Sequence, residues 1–203
     1  MDISEKLEEI FRHFPGIGPR QAKRFVYHLL TKSQSELEEF SSLLSTLKGT
    51  VFVCPSCHRF HTQKSVDDLC TICRDGSRNK AQLLIVPRDI DVQAIEKSRA
   101  YHGLYFVLGG TIPILDTEPD KRIRQTELLT TIQERTLDEI IIATSINPES
   151  EYTATYLISL FKKQFEHKEQ KPKVTTLGRG LSTGTELEYS DADTLRSALE
   201  NRR

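Results

Sequence analysis

Four cysteines, the only ones in this 203-residue chain, sit between positions 54 and 73 as Cys54-x2-Cys57-x12-Cys70-x2-Cys73. No other feature restricts the fold so tightly. Each Cys-x2-Cys turn presents two thiolates to one ion, and two such turns make the tetrahedral four-thiolate shell that a structural Zn²⁺ prefers. A filled shell leaves no open position for an activated water, so the metal is expected to hold the fold and do no chemistry. His58 and His61 lie near enough in sequence to replace a cysteine. The alternatives are a reduced, metal-free thiol cluster and a thioredoxin-like redox pair. The second calls for a βαβ pattern around the cysteines, and none surrounds them.

The start of the chain, Met1-Asp2-Ile3-Ser4-Glu5-Lys6, lacks the order of a secretion signal. No apolar run approaches the ~20 residues of a membrane helix. A cytoplasmic address is therefore expected, with metal ahead of disulfides as the use of clustered cysteines. Around this cluster the hydrophobic pattern changes character. Upstream, apolar residues recur at helical spacing over 3–12, from about Arg20 to Leu30, and from Ser35 to about Leu47. A short strand over 51–53 leads into the cysteines. From position 83, strands (83–87, 104–108, 139–143, 173–177) alternate with helices (90–100, 120–135, 149–167), followed by a last helix from about Asp191 to Asn201. That order predicts a parallel sheet covered by helices, with its working edge at the carboxyl ends of the strands.

Net charge is −1, which argues against a wholesale basic nucleic-acid binder. The average conceals a patch. Between Phe11 and Lys32 there are five cations (Arg12, Arg20, Lys23, Arg24, Lys32) and no acid. Within it, Pro15-Gly16-Ile17-Gly18-Pro19 interrupts the helices with a hairpin. Gly16 and Gly18 let a phosphate approach the backbone amides, and the helix that follows adds positive partial charge. Arg20, Lys23 and Arg24 fall on one side of that helix at i, i+3 and i+4. Such a device holds a nucleic-acid backbone without reading sequence. The plainer reading is a helical pair with a solvated cationic face; the hairpin glycines favour phosphate binding.

Phe14-Pro-Gly-Ile-Gly-Pro-Arg-Gln-Ala-Lys-Arg-Phe-Val-Tyr-His-Leu-Leu resembles the helix-hairpin-helix of the bacterial RecR recombination proteins. The four-cysteine module follows where that family has it. Tyr101-His-Gly-Leu-Tyr-Phe-Val-Leu-Gly-Gly and Gly184-Thr-Glu-Leu-Glu-Tyr-Ser-Asp are also similar to the family, so the resemblance spans nearly the whole chain. It implies a multidomain α+β and α/β protein. The parts are a helix-hairpin-helix DNA-binding domain over 1–52, a four-cysteine zinc module over 53–78, a Toprim domain over 79–178 and a C-terminal Walker B-like segment over 179–203. It further implies a non-enzymatic recombination mediator in DNA repair, forming a ring-shaped homotetramer. Such a protein works with RecO-like and RecF-like partners to load recombinase on gapped DNA coated with SSB protein.

Toprim enzymes hold Mg²⁺ with a glutamate after the first strand and an acidic pair after a later one. Aligned through Asp91-Val-Gln-Ala-Ile-Glu96, the glutamate position here is Pro87, which binds no metal; Asp89 and Asp91 are near but out of register. The pair survives as Glu149 and Glu151. These acids are expected either to open a helix, with Asn147 as its cap and Pro148 at its first position, or to contact Mg²⁺ or a partner. In the last segment, Glu186, Glu188 and Asp191 match the family's Walker B-like acids, though a strand-edge or subunit contact is the favoured reading, and Arg179 is a candidate for either a second phosphate contact or a subunit interface. No G-x-x-x-x-G-K-[ST] loop occurs, so nucleotide hydrolysis by a single chain is not expected. Two rival functions stand beside the mediator: a Mg²⁺-dependent Toprim nuclease or primase, opposed by Pro87, and a zinc-stabilised protein–protein adaptor, opposed by the cations of residues 11–32.

Overall fold

The computed structural model describes residues 2–200 apart from 63, 65, 179, 182, 183 and 185, and leaves aside the side chains of residues 193 and 200. The chain divides into two compact units, Met1–Val51 and Phe52–Arg203.

The first unit is helical: α1 (Ile3–Arg12), α2 (Pro19–Leu30) and α3 (Gln34–Thr50). Asp2 opens α1 with a capping box, its carboxylate accepting from Ser4 N while Glu5 reaches back to Asp2 N. Ser33 and Glu36 do the same for α3, which runs longer than the apolar spacing alone suggests. Pro19 takes the first position of α2, where its missing N–H costs nothing. Helices α1 and α2 pack against each other. Phe11 meets Phe14 and Phe25 edge-on at 5.7 and 5.6 Å, and Ala22 and Val26 are the fully buried side chains of α2.

The second unit begins with a two-stranded antiparallel hairpin, β1 (Phe52–Val53) and β2 (Phe60–His61), with Phe52 opposite His61. A single turn, α4 (Thr71–Arg74), closes the cysteine segment. The main sheet then forms from β3 (Asn79–Val86), β4 (Gly103–Val107), β5 (Glu139–Ile142) and β6 (Lys173–Thr176). All are parallel, in the order β4-β3-β5-β6. Helices α5 (Asp89–Ser98), α6 (Gln125–Glu134) and α7 (Pro148–Gln164) are the crossovers, and α8 (Ala192–Glu200) follows the sheet. Alternation along β3 feeds two cores. Leu83 and Ile85 join Leu128, Ile132, Leu157 and Phe161 of α6 and α7 on one face. On the other, Leu84 and Val86 join Tyr105, Val107 and Val92 with Cys54, Cys57, Cys70 and Ile72. The cysteine module thus packs as a cover for one face of the parallel sheet.

The expected helix over 120–135 is shorter in the structure. Pro119–Lys121 is a 3-10 turn, and the Arg124 amide donates to the Leu108 carbonyl at 2.9 Å instead of to a helical partner, so α6 starts only at Gln125. Where β4 ends, Gly109 adopts φ +92, a left-handed conformation that glycine alone enters cheaply, with the Arg124 guanidinium 3.4 Å from the position a Cβ would occupy.

Candidate nucleic-acid interface and metal centre

The hairpin between α1 and α2 turns on Gly16, at φ +77. Gly18 caps α2 without a side chain, leaving the first amides of the helix unserved. Among the described residues, no protein acceptor meets the amides of Gly16, Gly18, Arg20 and Gln21. On the adjoining face, Arg20, Lys23 and Arg24 line one open depression together with Tyr27. Among the described residues none of these three cations forms an ion pair; Arg24 has only a 3.4 Å contact to the Gln21 amide oxygen. Lys32, by contrast, is taken by Glu36 at 2.9 Å. Amides and uncommitted cations on one short element suit the oxygens of a phosphate chain. Tyr27 was not singled out by sequence reasoning, although its place one turn beyond Lys23 was a usable signal. Arg179 lies outside the described residues.

All four cysteine sulfurs lie within 4.8 Å of one another. The Cys57 and Cys70 sulfurs are 3.6 Å apart, close to the roughly 3.8 Å spacing of a tetrahedral thiolate shell at about 2.3 Å from its metal. Two tight turns build the cluster. His58 N donates to Cys54 O at 2.8 Å, with His58 itself at φ 60, and Arg74 N donates to Cys70 O at 3.1 Å. Cys70 N donates to the Cys54 sulfur. Hydrogen bonds from Cys57, Cys70 and Cys73 drive the Cys54 thiol far below its ordinary range. The bond to Cys54 pushes Cys57 far above it, as expected of sulfurs sharing protons where one cation would displace them all. These four residues can hold a metal ion. The histidines are used otherwise: His58 packs edge-on against Phe106 at 5.0 Å, and His61 Nε2 donates to the Asp68 carbonyl at 3.0 Å.

Several long-range bonds tie the module to the sheet. Val107 N donates to Cys57 O at 2.9 Å, Arg124 to His58 O at 3.2 Å, and Arg135 to the Ser56 hydroxyl at 2.7 Å. Phe60 N donates to the Asp89 carboxylate at 2.7 Å. Asp89 is thereby committed to the module, and Asp91 accepts from Arg88 N at 3.0 Å, so both acids near Pro87 have structural partners.

Glu149 and Glu151 lie in the first turn of α7, which Asn147 caps through Ser150 N and Pro148 opens. Two positions apart on a helix, they do not face each other. Glu149 accepts from the Thr111 hydroxyl at 3.4 Å, and Glu151 lines a hollow with Thr144, Thr155 and Thr176. Among the described residues the cysteines are the only group of three or more metal-donor side chains. In the last segment Asp191 is the cap of α8, accepting from Thr194 N and Oγ1 at 2.8 and 2.7 Å, while Glu186 precedes and Glu188 lies within a 3-10 turn at Leu187–Tyr189.

A glycine-turned helical hairpin, a four-cysteine module and a four-stranded parallel sheet crossed by helices together define a class of modular α/β protein with a candidate metal centre. Comparison with known proteins narrows the class. Residues 4–48 match a model for the RecR helix-hairpin-helix, residues 81–175 one for the Toprim domain, and residues 180–203 one for the RecR C-terminal region. The chain is 37% identical to recombination protein RecR of Paenarthrobacter aurescens, over 99% of this chain and 96% of the relative. It is similarly 37% identical to RecR of Streptomyces avermitilis and 36% identical to RecR of Chloroflexus aggregans, the latter over 98% of this chain and 92% of the relative. The chain belongs to the RecR family of recombination proteins.

Proposed function

We propose that this protein is a DNA-binding recombination mediator without catalytic activity. The carrying observation is the hairpin of α1 and α2, where unserved amides stand beside Arg20, Lys23 and Arg24, none of them paired with an acid among the described residues. In this reading Gly16 and Gly18 admit a phosphate, the three cations hold its neighbours, and binding to single-stranded, gapped and duplex DNA ignores sequence.

Cys54, Cys57, Cys70 and Cys73 hold a structural Zn²⁺, which secures the module against the sheet. The chain works in four parts, 1–52, 53–78, 79–178 and 179–203. The Toprim part serves as a platform for RecO-like and RecF-like partners in loading recombinase on SSB-coated gaps. Glu149 and Glu151 open α7 and face such partners. A phosphoryl-transfer role is disfavoured by Pro87 and by the commitments of Asp89 and Asp91. Ring assembly as a homotetramer multiplies a modest patch by avidity and lets it clamp DNA in the cytoplasm. No helix among the described residues is long and apolar enough to cross a membrane.

The test is solution mass with and without gapped DNA, combined with a binding titration at several salt concentrations. A closed oligomer that gains mass on DNA, with affinity falling linearly in log salt, is expected. A zinc-loaded protein that ignores DNA in dilute buffer refutes the reading.

A further inference from the structure

We propose that Tyr27 is a stacking platform for an unpaired base, and that it turns the cation stripe of α2 into a site preferring single-stranded DNA. The inference rests on the reading of α2 as a phosphate-binding helix and adds a substrate preference to it.

Tyr27 stands two turns beyond Arg20 and one beyond Lys23, at i+7 and i+4, so all three share a face. With Arg24 they line an open depression of about 520 Å³. The other aromatic rings of this unit behave differently. Phe11, Phe14, Phe25 and Phe40 line a separate apolar groove, three of them in edge-on contact, whereas Tyr27 lies outside it and is 60% exposed. Among the described residues its hydroxyl has no hydrogen-bond partner, and the Lys23 ammonium stands over its ring, 6.0 Å from the centre. An exposed aromatic among three unpaired cations is the composition of a single-strand site: cations track the backbone while the ring receives a base face. A duplex keeps its base faces stacked inside and offers that ring only phosphates and groove edges. Duplex is thus held by the cations and amides alone, and an unpaired strand by these and the ring.

The chain contains no tryptophan, so Tyr27→Trp places at the site a lone tryptophan that can be excited apart from the remaining tyrosines. Zinc-loaded parent protein, Tyr27→Ala, Tyr27→Phe, Tyr27→Trp and the Arg20→Glu/Arg24→Glu double variant are titrated with oligothymidylate and with a duplex of equal length. Tyr27→Ala is expected to weaken oligothymidylate binding about fivefold to tenfold, from the low end of base–aromatic stacking, with duplex binding within about twofold of parent. Tyr27→Phe retains the parent's affinity for both, and oligothymidylate quenches the emission of Tyr27→Trp saturably. Equal loss on both DNAs, no loss on either, unquenched emission, or a change in the mass of free Tyr27→Ala overturns the inference, the last by assigning the ring to a contact between copies. Parent-like binding of both DNAs by the double variant instead refutes the underlying phosphate site.

Discussion

Removing the metal should unfold the sheet beneath the cysteines as well as the module itself. The reason is the shared core: Cys54, Cys57 and Cys70 pack with Leu84, Val86, Val92, Tyr105 and Val107. Fully exposing a side chain of that size costs roughly 1.5–3 kcal/mol, so uncovering only two of the five costs about 3–6 kcal/mol. The bonds of Val107 N to Cys57 O, Arg124 to His58 O, Arg135 to Ser56, and Phe60 N to Asp89 are lost with the module. At roughly 1 kcal/mol each they add about 4 kcal/mol. The sum, about 7–10 kcal/mol, is comparable to the whole stability of a domain. At roughly 2–4 °C per kcal/mol for a unit of this size, a chelator should lower the melting temperature by about 15 °C or more. Amide hydrogen exchange supplies the local reading, since Leu84, Val86, Tyr105 and Val107 should lose protection along with the cysteine turns. If a chelator strips the metal completely while β4 amides stay protected and melting moves by less than about 2 °C, the module is an appendage and the shared-core argument is wrong.

Charge reversal at Arg20 and Arg24 should weaken DNA binding and make the slope of log affinity against log salt shallower by about 1.8 on duplex, which a salt titration measures. Glu96 adds a pH dependence. Burial alone would raise its pKa, but hydrogen bonds from Arg78 and Tyr105 outweigh this and hold it below the ordinary 4.5. Its contribution to stability is therefore fully present above 4.5 and is lost as pH falls through the lower folded-state value; denaturant melts of Glu96→Gln from about pH 3 to 7 should show a flatter acid limb than parent. With Mg²⁺ present, neither the parent nor Glu149→Ala should nick or relax supercoiled plasmid on a gel, and any parental nicking lost in the variant revives the nuclease reading.

The parts with local spacing were legible in advance. Cys-x2-Cys turns, the i, i+3, i+4 placement of Arg20, Lys23 and Arg24, and the alternation from position 83 all express short-range geometry, and the structure reproduces each. What escaped was long-range. Nothing near Asp89 announces that its carboxylate serves Phe60, far upstream in the chain; its register excludes it from the Toprim glutamate position but does not show this partner. The strand order β4-β3-β5-β6 and the use of the cysteine module as a lid on the sheet likewise depend on pairings no local pattern encodes. The helix expected over 120–135 was cut short for the same reason, because Leu108 claims the Arg124 amide from another element. Tyr27 was overlooked differently. As an aromatic on an amphipathic helix it reads as core, and what separates it from Phe25 and Leu29 is that those two line the apolar groove while Tyr27 lines the cationic depression.

The absence of carboxylate partners beside Arg20, Lys23 and Arg24, among the described residues, bears on kinetics as much as on affinity. A guanidinium already clasped by an acid must break that clasp before it can take a phosphate. These three have no clasp to break, and in the empty protein they repel one another across a single helical turn. In the proposed DNA site an arriving polyanion would relieve that repulsion, so capture would begin with a release of tension, and at low ionic strength it should run close to the rate at which diffusion delivers DNA.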